Sequence, residues 1–440
     1  MKQGWEIKKL GEVCEIVNGS TPLRSNKDFW ENGNFPWFTI DDIRQQGRII
    51  SETKQKVTEA ALKKLRVLPI DTILLCCTAS IGEFAITKIK LTTNQQFNGL
   101  VIKNKKELNP MFLLYFSSTL KDVLSNLSGK ATIDFIPISR LKDIEIPIPP
   151  LTEQQRIVAI LDEAFAAIAK AKANAQQNLQ NAKELFESYL QGVFENKGKM
   201  SELGLGRLKD ERIIDDNKKE ILQSSNPKNH NSDKGEGWEE KTLKQISIEF
   251  GRGKSKHRPR GDASLLGGKY PLIQTGDVSN AEHWITKYSQ TYNEKGLLQS
   301  KLWKKGTICI AIVGANVAET AILGFDACFP DSVIGIVVNP KLANEDYVEY
   351  LLQSFKAILK EKGKGTARDN INMGTFESQK FPFPNVGQQQ TIVQKLDALS
   401  AETKKLEAIY QQKINDLEEL KKSILQRAFS GELKTVRGEV

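Results

Sequence analysis

Ile146-Pro147-Ile148-Pro149-Pro150-Leu151-Thr152-Glu153-Gln154-Gln155-Arg156-Ile157-Val158 decides the fold of this chain, because it returns. An offset of about 235 residues brings Phe381-Pro382-Phe383-Pro384 and then Gln389-Gln390-Thr391-Ile392-Val393, the pattern of an internally repeated protein. The same offset carries Leu161-Asp162 to Leu396-Asp397, Leu190-Gln191 to Leu425-Gln426, Phe194 to Phe429, Asn109 to Asn344 and Pro36 to Pro271. Gly4-Trp5 matches Gly237-Trp238, and Gly99 matches Gly335, with the offset slipped by a residue or two. Proline lacks an N–H, so the two proline runs can be neither helix interior nor central strand. They predict rigid, extended joints from which a helix departs.

Long helices are predicted beyond each joint. In the second, Ile392, Leu396, Leu399, Thr403, Leu406, Tyr410, Lys413, Leu417, Leu420 and Ile424 recur in alternating steps of four and three, a coiled-coil seam. The register transfers to Ile157, Leu161, Ala164, Ile168, Ala171, Ala175, Asn178, Ala182, Leu185 and Tyr189 in the first. Its alanine-rich middle faces larger residues if the two helices pack together, and the repeat favours an antiparallel pair. At 1.5 Å per residue each helix reaches roughly 60 Å, long enough to hold two domains apart. The predicted fold class is α+β, with two similar domains joined by two long antiparallel coiled-coil helices and a pseudo-two-fold internal repeat. The predicted boundaries are 1–150, a first helix 151–195, a flexible linker 196–236, a second domain 237–385, a second helix 386–431 and a tail 432–440. Within the domains, Ile73–Cys77 and Ile308–Ile312 predict matching buried strands. Leu100–Ile102 and Ile336–Val338 predict a second pair, and Asn109–Leu124 and Asn344–Lys360 predict matching helices.

The chain has 440 residues, 39% hydrophobic and 27% charged, with a net charge of +9, which favours a soluble protein with a polyanionic partner. Met1–Glu6 has no apolar core, so no signal peptide is expected. Thr307–Ala318, the longest uncharged apolar stretch, is too short to span a bilayer. A cytoplasmic protein without a membrane association is expected. Cys14, Cys76, Cys77, Cys309 and Cys328 lack CxxC spacing and are expected as thiols in strands. His230, His257 and His283 are too scattered for a zinc site.

Gly253-Lys254-Ser255 resembles the end of a P-loop, but Ile248 stands where the required glycine belongs. There is no dinucleotide fingerprint, no Asp/Asn-Pro-Pro-aromatic methyltransferase signature and no Ser/His/Asp or Cys/His set common to both halves. A duplicated chain without a recurrent catalytic set points to a binding or assembly role.

Polar and basic loops do recur. Asn18–Lys27 in the first half matches Gly251–Arg260 in the second, where five of ten residues are Lys or Arg. Arg24, Asn26, Lys27, Arg252, Lys254, Lys256, Arg258 and Arg260 are candidates to hold phosphates, with Thr21 in the same loop. Asp41, Gln95, Gln96, Gln274 and Asp277 are candidates to read bases, since Gln can bond adenine and Asp can accept from cytosine. They lie in the matched stretches Thr39–Asp42 and Gln274–Asp277, and Thr93–Gln96 opposite Asp331-Ser332.

Together these features resemble the specificity (S) subunit of type I restriction-modification systems. The residues that carry the resemblance are Gly4-Trp5, Leu10-Gly11-Glu12, Gly19-Ser20-Thr21-Pro22, Phe35-Pro36-Trp37, Asp71–Leu74, Ser80-Ile81-Gly82, Asn94-Gln95-Gln96 and above all the Pro-Pro-Leu-x-Glu-Gln entry at Pro149–Gln154. The second copy departs from the pattern. Asn385-Val386-Gly387-Gln388 replaces Pro-Leu-Thr-Glu, and Gly19–Pro22 has no good sequence match near Gly253. The resemblance implies a non-catalytic reader of double-stranded DNA with two target recognition domains, each reading half of a bipartite, asymmetric site. The helices would fix the unread spacer. It also implies two modification (M) subunits that use S-adenosylmethionine to methylate adenine, and restriction (R) subunits that use ATP and Mg, with no cofactor on this chain. Alternatives are a specificity subunit of another restriction-modification type, or a helical assembly protein.

Overall fold

The computed structural model describes residues 4–78, 80–127, 136–195, 237–257, 259, 261–363 and 371–433. The predicted linker 196–236 lies outside the described residues, as does most of the predicted tail. The chain divides into two compact units: Met1–Gln176 with Gln411–Val440, and Gln177–Tyr410.

The units share a topology. In the first, a five-stranded sheet runs in the order Cys14–Asn18, Phe97–Ile102, Ile73–Cys76, Phe84–Thr87, Ile49–Ile50. In the second the order is Ser247–Arg252, Val333–Val338, Ile308–Ala311, Thr320–Leu323, Trp284–Ile285. All neighbours are antiparallel except the last pair of each, Ile49↔Ile86 and Trp284↔Ile322, which are parallel. The central strands are buried throughout, as uninterrupted apolar runs require. Gly99 pairs with Val17 and Leu74, and Gly335 pairs with Gly251 and Cys309. A Cβ on Gly335 would come within 2.7 Å of Phe329 and 2.8 Å of Trp303, and one on Gly99 within 2.9 Å of Leu68. Both glycines leave room for a large side chain to lie across the sheet centre. The five cysteines are buried free thiols, four of them in strands and Cys77 immediately after one.

The proline runs form strands of two-stranded ribbons. Glu6–Lys9 pairs with Glu145–Ile148, and Glu239–Thr242 pairs with Lys380–Phe383. In a two-stranded ribbon every strand is an edge, so the missing proline N–H costs no central ladder bond. The helices after Asn109 and Asn344 each break in two, contrary to expectation: Pro110–Ser117 with Lys121–Leu127, and Glu345–Ser354 with Lys356–Gly363. At the first break Ser117, Ser118 and Thr119 bond back to Leu113, Tyr115 and Phe116 carbonyls. At the second, Ser354 bonds back to Leu351. Such bonds compete with helix continuation.

The long helices span Leu151–Glu195 and Val386–Ser430, 45 residues each. In the first unit Arg156 donates to Leu433 O at 3.1 Å and Lys172 pairs with Glu418 at 2.5 Å. The partner's number falls as the first rises, so the pairing is antiparallel. Ile157 and Leu161 share a core with Leu425 and Ala428 there, and in the second unit Leu190, Val193 and Phe194 share one with Ile392, Val393 and Leu396. The first helix keeps its predicted seam, with Ala175 and Ala182 buried. The second does not: Lys413 and Leu420 are exposed, and beyond Tyr410 the buried side passes through Ile414, Leu417, Lys421, Leu425 and Ala428. A helix of 3.6 residues per turn drifts away from a strict 3.5 repeat by about 20° per heptad, and over about six turns the drift exceeds half a residue, so the next position faces the partner.

Each helix is locked to its domain by the same bonds. Asn109 N donates to Gln154 Oε1 at 2.8 Å, and Gln154 Nε2 donates to Glu107 O and Pro149 O at 2.8 and 2.9 Å. Asn344 N donates to Gln389 Oε1 at 2.9 Å, and Gln389 Nε2 donates to Leu342 O and Pro384 O at 3.1 and 2.8 Å. Both glutamines are fully buried. Tyr115 donates to Asp162, and Tyr350 to Asp397 at 2.7 Å. The degraded second entry is compensated, because Asn385 caps it through Oδ1 and Gln388 N at 2.9 Å.

The second unit adds a buried charge network. His283 pairs with Glu349 at 2.5 Å and Asp346 at 3.0 Å and stacks on Tyr350 with ring centroids 4.4 Å apart. Glu349 is fully buried and also accepts from Thr320 Oγ1 and Gln353 Nε2. Burial alone would lower the imidazole pKa. Bonds to Asp346 and Glu349 overcome it and lift His283 to about 9. The equivalent first-unit position is Arg48, whose guanidinium lies 3.7 Å over the Phe84 ring.

Candidate nucleic-acid interface

In the first unit the polar loop after Cys14–Asn18 lies directly on the Thr93–Phe97 turn. Gly19 N donates to Phe97 O and Ser20 N to Thr93 O, at 3.1 and 2.8 Å. A Cβ on Gly19 would sit 2.1 Å from Asn94 O, so only glycine lets the two backbones approach this closely. The contact brings Thr21 and Gln95 together, with the threonine hydroxyl donating to Gln95 Oε1 at 2.5 Å. Asn18 Nδ2 donates to Asn98 Oδ1 at 2.9 Å. Gln96 is the more enclosed of the pair, its Oε1 accepting from Asn94 Nδ2 at 3.0 Å, while Gln95 is exposed.

Further along the loop, Arg24 donates to Gln55 Oε1 at 2.8 Å and lies over the rings of Trp30 and Trp37. Asn26 is committed to the loop itself, since its Oδ1 accepts from Asp28 N and caps the 3-10 turn Lys27–Phe29. Lys27 is 81% exposed at its side chain and pairs with Glu31 at 3.4 Å. Asp41 is exposed on the helix Ile40–Gln46 and pairs with Arg44 at 3.1 Å.

The second unit builds the same junction. Gly253 N donates to Val333 O at 2.9 Å, and a Cβ there would lie 2.2 Å from Phe329 O. Gly253 is thus the backbone counterpart of Gly19, although the flanking side chains give no sequence match. The missing match is corrected at the level of the chain's path. Arg252, at the end of Ser247–Arg252, and Lys254 and Lys256 beyond it are all exposed. Ser300 Oγ donates to Lys254 O at 2.8 Å and His257 N to Gln299 Oε1 at 3.0 Å, so the basic loop has a fixed backbone. Arg258 and Arg260 lie outside the described residues.

Gln274 and Asp277 form the start of the helix Thr275–Ser279. Asp277 accepts from Gln274 N at 2.7 Å, as Asp42 accepts from Thr39 N at 2.7 Å. Asp277 is therefore bound into a capping box, and its carboxylate serves the helix start. Gln274 Nε2 donates to Gln290 Oε1 at 3.4 Å. The sequence did not single out Gln55, Gln299 or Ser300. Each supports a candidate loop from a segment distant in sequence, and Gln55 reaches Arg24 because Trp37 and Gln55 are register partners.

The arrangement offers exposed cations and amides on glycine-pinned loops at the same place in two equivalent modules. Removing Arg252 and Lys254 together as alanines should lower the dependence of log affinity on log salt by about 2, without changing sequence preference. Titration of duplex DNA at several salt concentrations measures it, and an unchanged slope removes this loop from the DNA surface.

The model of the type I restriction modification DNA specificity domain matches residues 2–179 and again residues 235–419. The MjaIX type I restriction enzyme specificity subunit of Methanocaldococcus jannaschii is 28% identical over 98% of this chain and 94% of its own. The EcoprrI specificity subunit of Escherichia coli is 32% identical over 37% of this chain and 42% of its own. The fold matches a chain from a study of complex assembly and conformational transition of the type I R-M system, with a TM-score of 0.74 at 17% identity, covering 98% of this chain and 99% of that one. It also matches the HsdS subunit from Thermoanaerobacter tengcongensis, with a TM-score of 0.60 at 18% identity and 98% of both chains covered.

Proposed function

The chain belongs to the type I restriction modification DNA specificity family, and from that membership we propose that it is the DNA-reading specificity subunit of a type I restriction-modification complex. The observation that carries this reading is the duplication itself: one module occurs twice, with conserved helix locks and divergent polar loops. Each module, residues 1–150 and 237–385, acts as a target recognition domain for one half of a bipartite, asymmetric site. The long helices set the spacer and dock two modification subunits. Lys27, Arg252, Lys254 and Lys256 hold phosphates, and Gln95 and Gln274 stand where they can meet base edges.

The chain is the non-catalytic component of its assembly. Adenine methylation with S-adenosylmethionine belongs to the modification subunits, which flip the base, and ATP- and Mg-dependent work belongs to the restriction subunits. Among the described residues no helix is long and apolar enough to cross a membrane. A cytoplasmic complex follows from its proposed work on DNA. Mapping adenine methylation in cells with and without the gene tests the proposal. Loss of one bipartite motif supports it, and an unchanged map favours the assembly-protein alternative.

A further inference from the structure

Arg24 is held unlike any other candidate cation in the described loops. Its guanidinium carbon lies 3.9 Å from the Trp30 ring centroid and 4.6 Å from that of Trp37. The two indoles are themselves packed edge to face at 4.9 Å and 89°. Gln55 Oε1 takes one guanidinium hydrogen at 2.8 Å. The backbone leading into Arg24 is tied to the same indoles: Trp30 Nε1 donates to Leu23 O at 3.2 Å and Trp37 Nε1 to Ser20 O at 3.4 Å. Trp37 is 1% exposed and belongs to the small core beneath the loop, so the platform is rigid. Arg24 nevertheless remains an exposed residue.

A phosphate contact does not need this construction. Lys27, three residues on, is a solvent-exposed ammonium of the kind that serves a phosphate. A base contact does need it, because bidentate bonding to a base edge demands a planar donor held in one orientation. With one of five N–H groups given to Gln55, the guanidinium keeps enough hydrogens to present two parallel donors. Guanine, with O6 and N7 side by side in the major groove, is the base edge that accepts such a pair.

Resting on the DNA-reading function proposed above, we infer that Arg24 is a specificity determinant rather than a phosphate clamp: it reads a guanine in the half-site of the first module, with Trp30, Trp37 and Gln55 as positioning residues. Lysine in its place would keep the charge and lose the planar fork.

The test is selection of bound duplexes from a fully randomised library by the full chain assembled with its modification subunits. The wild type should yield a bipartite motif with a fixed guanine in one block. Arg24→Lys should lose the preference at that one position, about ten- to a hundredfold in discrimination, and leave the other block and the salt slope unchanged. Gln55→Leu, which keeps Arg24 and frees its orientation, should relax the same position in part. Thermal melting of each variant checks folding. If Arg24→Lys keeps the full motif while Arg24→Ala weakens all sequences alike and lowers the salt slope by about one, Arg24 is a phosphate contact and the inference is overturned. If the wild type selects no motif, the DNA-reading function itself fails, which is a separate result.

Discussion

His283→Leu lowers the stability of the unit Gln177–Tyr410 by about 3–5 kcal/mol at neutral pH, a fall in melting midpoint of roughly 6–15 °C. The cause is Glu349. It is fully buried, and removal of the imidazolium strands a carboxylate whose desolvation is no longer offset by an ion pair at 2.5 Å. The stack of His283 on Tyr350 is lost as well, and Tyr350 is the residue that bonds Asp397 on the long helix. The sign of the pH dependence follows from the raised pKa. Folding lifts His283 from 6.5 to about 9, so its contribution is complete below about pH 6.5 and is lost as pH rises through 9. The wild-type advantage over the variant should therefore shrink between pH 7 and pH 10. Melting curves of both proteins across that range measure it. Equal midpoints at pH 7 would show that the network contributes nothing.

Gln154→Leu is expected to have a comparable effect on the first unit. The leucine fills the space but leaves Asn109 N–H and the Glu107 and Pro149 carbonyls without their partner. Three stranded backbone groups around a fully buried side chain cost about 3–5 kcal/mol together. Gln154→Glu should be at least as damaging, because it replaces a double donor facing two carbonyls with an acceptor. Gln389→Leu should do the same to the second unit, whose lock has the same three bonds. Chemical denaturation followed by fluorescence reads both units. A loss below about 1 kcal/mol for Gln154→Leu would mean that water replaces the amide, and that the joint is looser than its geometry.

These locks explain why so much was legible in the sequence. Gln154 and Gln389, Asn109 and Asn344, and Pro147 and Pro382 each occupy a backbone setting that few other residues suit, so the repeat survives in their identities. The buried strands at Ile73 and Ile308 were legible because a central strand must be apolar along its whole length. The helix breaks at Ser117–Thr119 and after Ser354 were not, since their apolar spacing suits a helix and the competing side-chain bonds are local. The seam slip beyond Tyr410 was hidden because Leu417 fits both registers. Among the loop candidates, the sequence marked the polar positions but not their roles. Asn26 and Asp277 became caps, and Arg24 acquired a platform, through contacts with Asp28, Gln274, Trp30 and Gln55 that only the folded chain specifies.

Two equivalent modules that read two separate DNA blocks should contact the duplex at two separate places. Site-specific photocrosslinking locates both contacts, with one crosslinker at Lys27 and another at Lys256, on the full chain assembled with its modification subunits and bound to a duplex carrying its selected site. The two positions are expected to label different blocks, with an unlabelled spacer between them. Crosslinks from both positions within the same block, or along one contiguous stretch, would contradict the two-module reading.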